Sequence, residues 1–237
     1  MLRRLALAAL ALAGAGCAPT SVTEQGRAIY NTYNFFLYVA AVVFVVVAGL
    51  LVWSMIRYRR RGDELPRQIH GNNRLELTWT LIPLLLVIFL FVVTMQAQNK
   101  VLQKSTRPAL AVDVVAFQWS WRFAYEGQNV QVVGSPGNVP ELVVPVGQPV
   151  RIRLSSADVV HSFYVPRTLF KRQAIPGRTS EFDLTFEKVG TYQGHCVQFC
   201  GLAHADMLFT VRVVSPGEFR SWLAQASRSG SPSRPGT

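Results

Sequence analysis

The sequence predicts a hairpin of two membrane-crossing helices followed by an all-β domain of the sandwich or Greek-key kind. Three observations lead to this. Two long runs lack any charged residue, arginines gather between those runs, and from about residue 108 the chain breaks into short β-rich segments punctuated by Gly and Pro.

The first 16 residues read as a signal peptide: a basic start at Arg3-Arg4, a short Ala/Leu run, and small residues at its end. Cys17 follows directly, which makes it a candidate for lipid attachment at a new N-terminus. Ordinary cleavage nearby is the alternative. Phe35 to Ile56 is uncharged, and at about 1.5 Å per residue such a run crosses the roughly 30 Å hydrocarbon core. Leu77 to Met95 is just long enough, with Pro83 expected in its first turns, where a missing N–H costs least. The spans are therefore placed at 35–57 and 76–98, with a loop at 58–75. That loop and the span end before it carry Arg57, Arg59, Arg60, Arg61, Arg67 and Arg74 against Asp63 and Glu64. The excess of Arg puts it in the cytoplasm and everything after residue 98 outside. The signal-like start independently requires the same orientation.

The exported part, 108–226, is expected to hold the β domain. Strand candidates are 112–123, 130–133, 141–146, 149–155, 160–165, 180–186, 190–194 and 207–214. A short closing helix follows Pro216. Residues 227–237 are Ser, Gly, Pro and Arg, with Thr237 at the end, and are read as a disordered tail.

The most informative stretch is Cys196-Val-Gln-Phe-Cys200-Gly-Leu-Ala-His204-Ala-Asp-Met207. Two thiols, an imidazole and a thioether fall within twelve residues. Sulfur with imidazole selects copper or zinc over magnesium or calcium. A structural zinc site more often shows a second close Cys or His pair, whereas a Met points to copper with a weak axial thioether. Met207 is the only Met after residue 95. One copper of the blue type needs one Cys, so two Cys suit two coppers, each with one His. For the second His, His70 lies on the cytoplasmic side and His195 points away from its neighbour's face. His161 remains.

With these residues in place, the chain resembles cytochrome c oxidase subunit II of the bacterial, copper-containing type, over nearly all its length after residue 25. The metal loop is similar to the family's Cys-x-Glu-x-Cys-Gly-x-x-His-x-x-Met. Asp158-Val-Val-His161, Leu75-Glu-Leu-Thr-Trp-Thr-Leu-Ile-Pro83, Gln118-Trp-Ser-Trp-Arg-Phe and Ala174-Ile-Pro-Gly-Arg178 resemble four further family motifs, in the family's order. The fold implied is a two-helix transmembrane hairpin followed by an all-β cupredoxin-like Greek-key domain.

The resemblance implies that Cys196 and Cys200 bridge two coppers, that His161 and His204 take one each, that Met207 is a weak axial ligand, and that the carbonyl of Gln198 serves the other copper. It implies electron input through Trp119, with Trp121 left in the core. It also implies relay from a cytochrome c to haem in subunit I, with oxygen reduction, proton translocation and a third subunit beside them. Glu76 matches a residue near a proton path, and a helix N-terminal charge is the equal alternative. Gln198 stands where the family has Glu, whose carboxylate also helps bind a magnesium or manganese ion at the subunit I interface. A neutral amide is a poorer ligand for a hard cation, which puts that second site in question. Gln173 likewise replaces an Asp. No Cys-x-x-Cys-His motif is present, so no haem is expected in this chain. The location expected is a bacterial cell membrane, with the copper domain on the extracytoplasmic side. The partners expected are subunits I and III, a cytochrome c and the bilayer, without nucleic acid.

Residues after 98 carry 15 Lys and Arg against 9 Asp and Glu. The few acids available to greet a basic donor are Glu126, Asp158 and Asp206, so an acidic donor, or one docking by apolar contact, is expected. Rival readings are the small copper subunit of a nitric oxide reductase, a piece related to nitrous oxide reductase (for which the chain is too short), a quinol-oxidase subunit (which lacks the copper ligands), and a copper-delivery lipoprotein.

Overall fold

The computed structural model describes residues 20–60, 62, 68, 70–135 and 137–228. The signal segment 1–16, Cys17 and residues 61, 63–67 and 69 of the charged loop between the spans lie outside the described residues. The chain forms two compact units. One is the helical pair from Asn31 to Gln98, and the other is the β unit, which takes the segment up to Tyr30 and the chain from Asn99 onward.

Helix α1 runs Glu24–Arg57 and helix α2 runs Asn73–Leu102. Both extend beyond the charge-free runs, because polar residues at each end continue the helical hydrogen bonding. The expected loop therefore ends earlier, at Asn72. Asn72 caps α2: its Oδ1 accepts the Leu75 N–H at 3.2 Å, and Glu76 Oε1 reaches back to the Asn72 N–H at 3.4 Å. The earlier start moves Pro83 from the first turns into the helix interior. There it removes one hydrogen bond from the ladder. Phe35 of α1 meets Phe89 of α2 edge-on, with ring centroids 6.1 Å apart.

In the β unit, ten strands form two five-stranded sheets: β1 (Leu110–Phe117), β2 (Ser120–Tyr125), β3 (Val130–Val133), β4 (Glu141–Pro145), β5 (Pro149–Ser156), β6 (His161–Val165), β7 (Phe170–Ala174), β8 (Ser180–Thr185), β9 (Gly190–Cys196) and β10 (Leu208–Val214). One sheet has the order β3-β2-β1-β5-β8 and the other β4-β10-β9-β6-β7. Pairing is antiparallel except β1 with β5 and β10 with β4. This is the cupredoxin-like Greek-key sandwich. Alternation drives it: Val112, Val114 and Ala116 of β1, Val150, Ile152 and Leu154 of β5, and Phe209, Val211 and Val213 of β10 are all buried. The expected strand 112–123 is two strands, turning at Gln118-Trp119. Strand β7, which the sequence reading missed, is an edge strand with Lys171 and Gln173 exposed.

Aromatic rings fill the space between the sheets. Phe163 stacks on Phe209 at 4.7 Å, and Trp121 meets Phe209 at 5.1 Å. Gly194 of β9 lies directly under the Phe209 ring, where a Cβ would collide. The segment before α1 docks on this unit. Val22 is buried, its N–H donates to Arg167 O at 2.9 Å, and its carbonyl accepts the Glu187 N–H at 2.8 Å. Helix α3 (Pro216–Arg228) is capped by Ser215, whose Oγ accepts the Glu218 N–H at 3.2 Å. It packs Trp222 on Tyr125, with centroids 5.2 Å apart. Ser227 and Arg228 belong to this helix rather than to the expected tail, and 229–237 lie outside the described residues.

Tyr125 ties the sheets together. Its hydroxyl donates to Val143 O at 3.0 Å and accepts the Val143 N–H at 2.8 Å. Burial holds its phenol protonated well above the usual range. Tyr125→Phe would leave both Val143 groups without their partner. The expected loss is about 1–3 kcal/mol, read as a lower urea midpoint for the detergent-solubilised chain. An unchanged midpoint would show that the bridge contributes nothing net.

Candidate metal centre

The hairpin of β9 and β10 builds the site. Cys196 ends β9, and its N–H donates to Met207 O at 3.1 Å, so the intervening loop leaves and returns at one point. A single 3-10 turn, His204–Asp206, precedes Met207. On the other side, β6 runs antiparallel to β9 with Phe163 opposite Cys196. His161, two residues earlier on the same face, is thereby carried to the loop that follows Cys196.

The side chains converge. Cys196 Sγ lies 3.9 Å from His161 Nδ1, 3.9 Å from Cys200 Sγ and 3.2 Å from the backbone oxygen of Gln198. Cys200 Sγ lies 3.4 Å from His204 Nδ1 and 3.8 Å from Met207 Sδ. His161, Cys196 and Cys200 are buried and together form a group able to hold a metal ion. Met207 is fully buried, and His204 is half-buried. All six positions named from the sequence come together. His195 does not join them: it faces Tyr164 on the other side of the sheet, with rings 5.5 Å apart.

The donor set fits soft metal ions. Both thiols are free. Burial resists ionisation of Cys196, but hydrogen bonds from His161 and from the backbone around Gln198 and Ser162 outweigh it and bring that thiol down to about 7. Burial, and then the neighbouring Cys196 thiolate, push Cys200 up to about 12. Two thiolates side by side thus call for positive charge between them.

Asp158 sets the tautomer of His161. Its Oδ1 accepts from His161 Nε2 at 2.8 Å, so that Nδ1 is the ring nitrogen turned to Cys196. Asp158 also accepts the Gln118 and Val159 N–H groups, each at 2.6 Å. The acid that the sequence reading offers to a basic donor is thus bonded within the chain, while its side chain stays 30% exposed. Glu126 is likewise engaged, by Arg153 at 3.0 Å. Asp158→Asn would place an amide donor against one of these donors. The expected cost is about 10–100-fold in copper affinity, read by competition with a chelator. Unaltered affinity would remove Asp158 from the site.

Trp119 is half-buried and Trp121 fully buried, as the sequence reading divided them. The Trp119 Nε1–H donates to the Cys200 carbonyl at 3.1 Å, and Gln118 Nε2 donates to the same oxygen at 2.8 Å. Gly201 has φ 117, and a Cβ there would stand 3.2 Å from Trp119 Cζ2. Glycine is needed on both counts. The Gln118 contact was missed from sequence, since nothing local marks a side chain that reaches 82 positions ahead. Around this corner Phe199 and Leu202 are 79% and 96% exposed. Glu76 lies far along the chain, and its carboxylate serves the cap of α2.

Comparison with known proteins gives consistent matches. Residues 17–97 match the family described as cytochrome C oxidase subunit II, transmembrane domain, and residues 138–214 match its periplasmic domain. A probable cytochrome c oxidase subunit 2 of Streptomyces avermitilis is 34% identical, over 90% of this chain and 79% of that protein. A cytochrome c oxidase subunit 2 of Mycobacterium bovis is 30% identical, over 94% and 82%. The crystal structure of the periplasmic domain of subunit II of cytochrome oxidase of Bradyrhizobium japonicum is 32% identical. It covers 54% of this chain and 100% of that one, with TM-score 0.48.

Proposed function

This chain belongs to the cytochrome c oxidase subunit II family, a membrane subunit of a haem-copper oxidase with two transmembrane helices and a periplasmic domain, and we propose that it takes electrons from a cytochrome c at a dinuclear copper centre and passes them to haem in subunit I. The observation that carries this is the convergence of two thiols, two imidazole Nδ1 atoms, a thioether and a backbone carbonyl on one buried point. When bound there, a copper pair supplies one-electron redox chemistry with the charge shared over both ions.

The residues each have a role. Cys196, Cys200, His161, His204, Met207 and the Gln198 carbonyl would hold the copper, with the two thiols and two imidazoles as its main donors. Asp158 holds His161 in one tautomer. The burial of the ligands excludes water and limits their movement as charge changes. Trp119 joins the surface to Cys200 through a single hydrogen bond. Subunits I and III and a bacterial cell membrane complete the assembly, with the copper domain on the extracytoplasmic side; Cys17 is the candidate for lipid attachment, with ordinary cleavage nearby as the alternative. Glu76 caps α2, and a place at the start of a proton path is the other reading of that residue.

Copper-loaded full chain in detergent tests the centre by electron paramagnetic resonance. One unpaired electron coupled to two copper nuclei is expected, and a single-copper pattern or zinc alone would overturn the reading. Donor docking has its own test. With Asp158 and Glu126 each bonded to a partner of this chain, Asp206 the remaining acid of the three, and Phe199 and Leu202 exposed, the docking face is taken as mainly apolar. The reduction rate should therefore change little with salt. A rate that falls steeply as ionic strength rises, with a basic donor, would falsify this.

A further inference from the structure

The family resemblance implies a hard divalent cation beside position 198, and the residues present do not fit one. Gln198 and Gln173, the two positions where carboxylates are replaced by amides, meet in space: Gln173 Nε2 donates to Gln198 Oε1 at 3.4 Å. Two neutral amides bonded to each other offer no negative charge to a hard cation. The surroundings repel one. Beside Gln173 lies a cleft of about 290 Å³ lined by Lys171, Arg172, Gln173, Ile175, Arg178 and Ser180. Three of its walls are cationic and none is acidic.

Topology explains the cluster. Lys171, Arg172 and Gln173 lie on edge strand β7, with Gln173 opposite Ser162, the neighbour of His161. The turn Ile175-Pro-Gly-Arg178, closed by the Arg178 N–H on Ile175 O at 3.2 Å, brings Arg178 back beside them. Arg172 is the most constrained. Its guanidinium lies over the Phe170 and Phe182 rings, at 5.4 and 5.7 Å. Its Nε is buried without a hydrogen-bond partner. Burial, and then the charge of Arg178, lower its affinity for its own proton. Among the described residues, Lys171, Arg172 and Arg178 make no ion pair. A desolvated donor beside like charges lacks an acceptor, and an oxyanion supplies both acceptor and charge.

We propose that this corner, instead of holding a hard cation, binds an oxyanion, a carboxylate or a phosphate group, on Arg172, Arg178 and Lys171. The cleft rests on its own geometry, and only the expectation of a cation rests on the subunit II reading. The copper-loaded full chain in detergent and the assembled oxidase are each titrated with inorganic phosphate by calorimetry at fixed ionic strength. Each is also titrated with Mn²⁺ by electron paramagnetic resonance. The isolated chain should bind phosphate saturably. Arg172→Gln should weaken this about tenfold or more, as should the solvent-facing Arg178→Gln, in line with the strength of a charge-assisted contact. Mn²⁺ should remain free in both samples.

Phosphate binding by the assembled oxidase as well assigns the cleft to a free anion. Binding by the isolated chain alone assigns it to an acidic side chain of a neighbouring subunit. Stoichiometric Mn²⁺ binding overturns the proposal, as does phosphate binding that is absent or indifferent to both Arg changes. The copper signal is read in the same samples, so a chain without copper counts against the proposed function and leaves the test of the cleft intact.

Discussion

Cys200→Ser should reduce the copper content from two per chain to at most one and lower the oxygen consumption of the assembled oxidase by more than about 10³-fold. That is beyond the roughly 10–100-fold that loss of an outer hydrogen-bond partner costs. The reason is geometric. Cys200 Sγ is the atom that His204 Nδ1, Met207 Sδ and Cys196 Sγ all approach, at 3.4, 3.8 and 3.9 Å. A serine hydroxyl is hard and does not ionise at neutral pH, so it cannot bridge two soft ions. The fold should survive, because Cys200 lies in the loop after β9, outside both sheets. Metal analysis and electron paramagnetic resonance of the purified variant give the answer. Retention of two coppers sharing one electron would show that Cys200 does not bridge.

The parts of this molecule that were legible in the sequence are those where local pattern and tertiary role coincide. The spans were legible because lipid demands an uninterrupted apolar run. Their true ends were not, since 24–34, 73–75 and 99–102 are polar or mixed segments that continue the helices without any sign of a membrane. The turn at Gln118-Trp119 was hidden because it uses no Gly, Pro or Asn, so one long strand was the natural reading. Strand β7 was hidden for the opposite reason. Phe-Lys-Arg-Gln-Ala is polar, as a protected edge often is.

The residues that converge on the candidate metal centre were legible because soft donors are rare and four sit within twelve residues. His161 followed by elimination of the other histidines. The contacts that orient the site were not legible. Asp158 looked like a surface acid because its partner is set by the bend into β6. The Gln173–Gln198 pair spans 25 positions and exists only through the registers of β6 with β7 and with β9. Each Gln stands out alone in the sequence, and only the fold makes them one feature with the cationic cleft beside them.

Trp119→Leu should slow reduction by the protein donor by about 10²-fold, the scale on which a misplaced reacting contact acts, while the copper spectrum stays as it was. The two outcomes separate because Trp119 shares its acceptor. Gln118 Nε2 holds the Cys200 carbonyl at 2.8 Å whether or not the indole is there, so the ligand loop keeps its shape. What disappears is the aromatic ring between solvent and that carbonyl, together with its 3.1 Å hydrogen bond.

Trp119→Phe retains a ring and loses only the bond, so its rate should fall between the other two. Gly201→Ala reaches the same contact from the other side, by driving a Cβ into the indole edge. Stopped-flow reduction by the donor, set beside reduction by a small-molecule reductant, distinguishes a lost route from a damaged centre. The small reductant needs no docking site and should act equally on all the variants at position 119. If Trp119→Leu is reduced by the donor at the native rate, electrons reach the centre elsewhere. The exposed side of His204, beside Phe199 at a ring distance of 5.8 Å, would then be the next surface to alter.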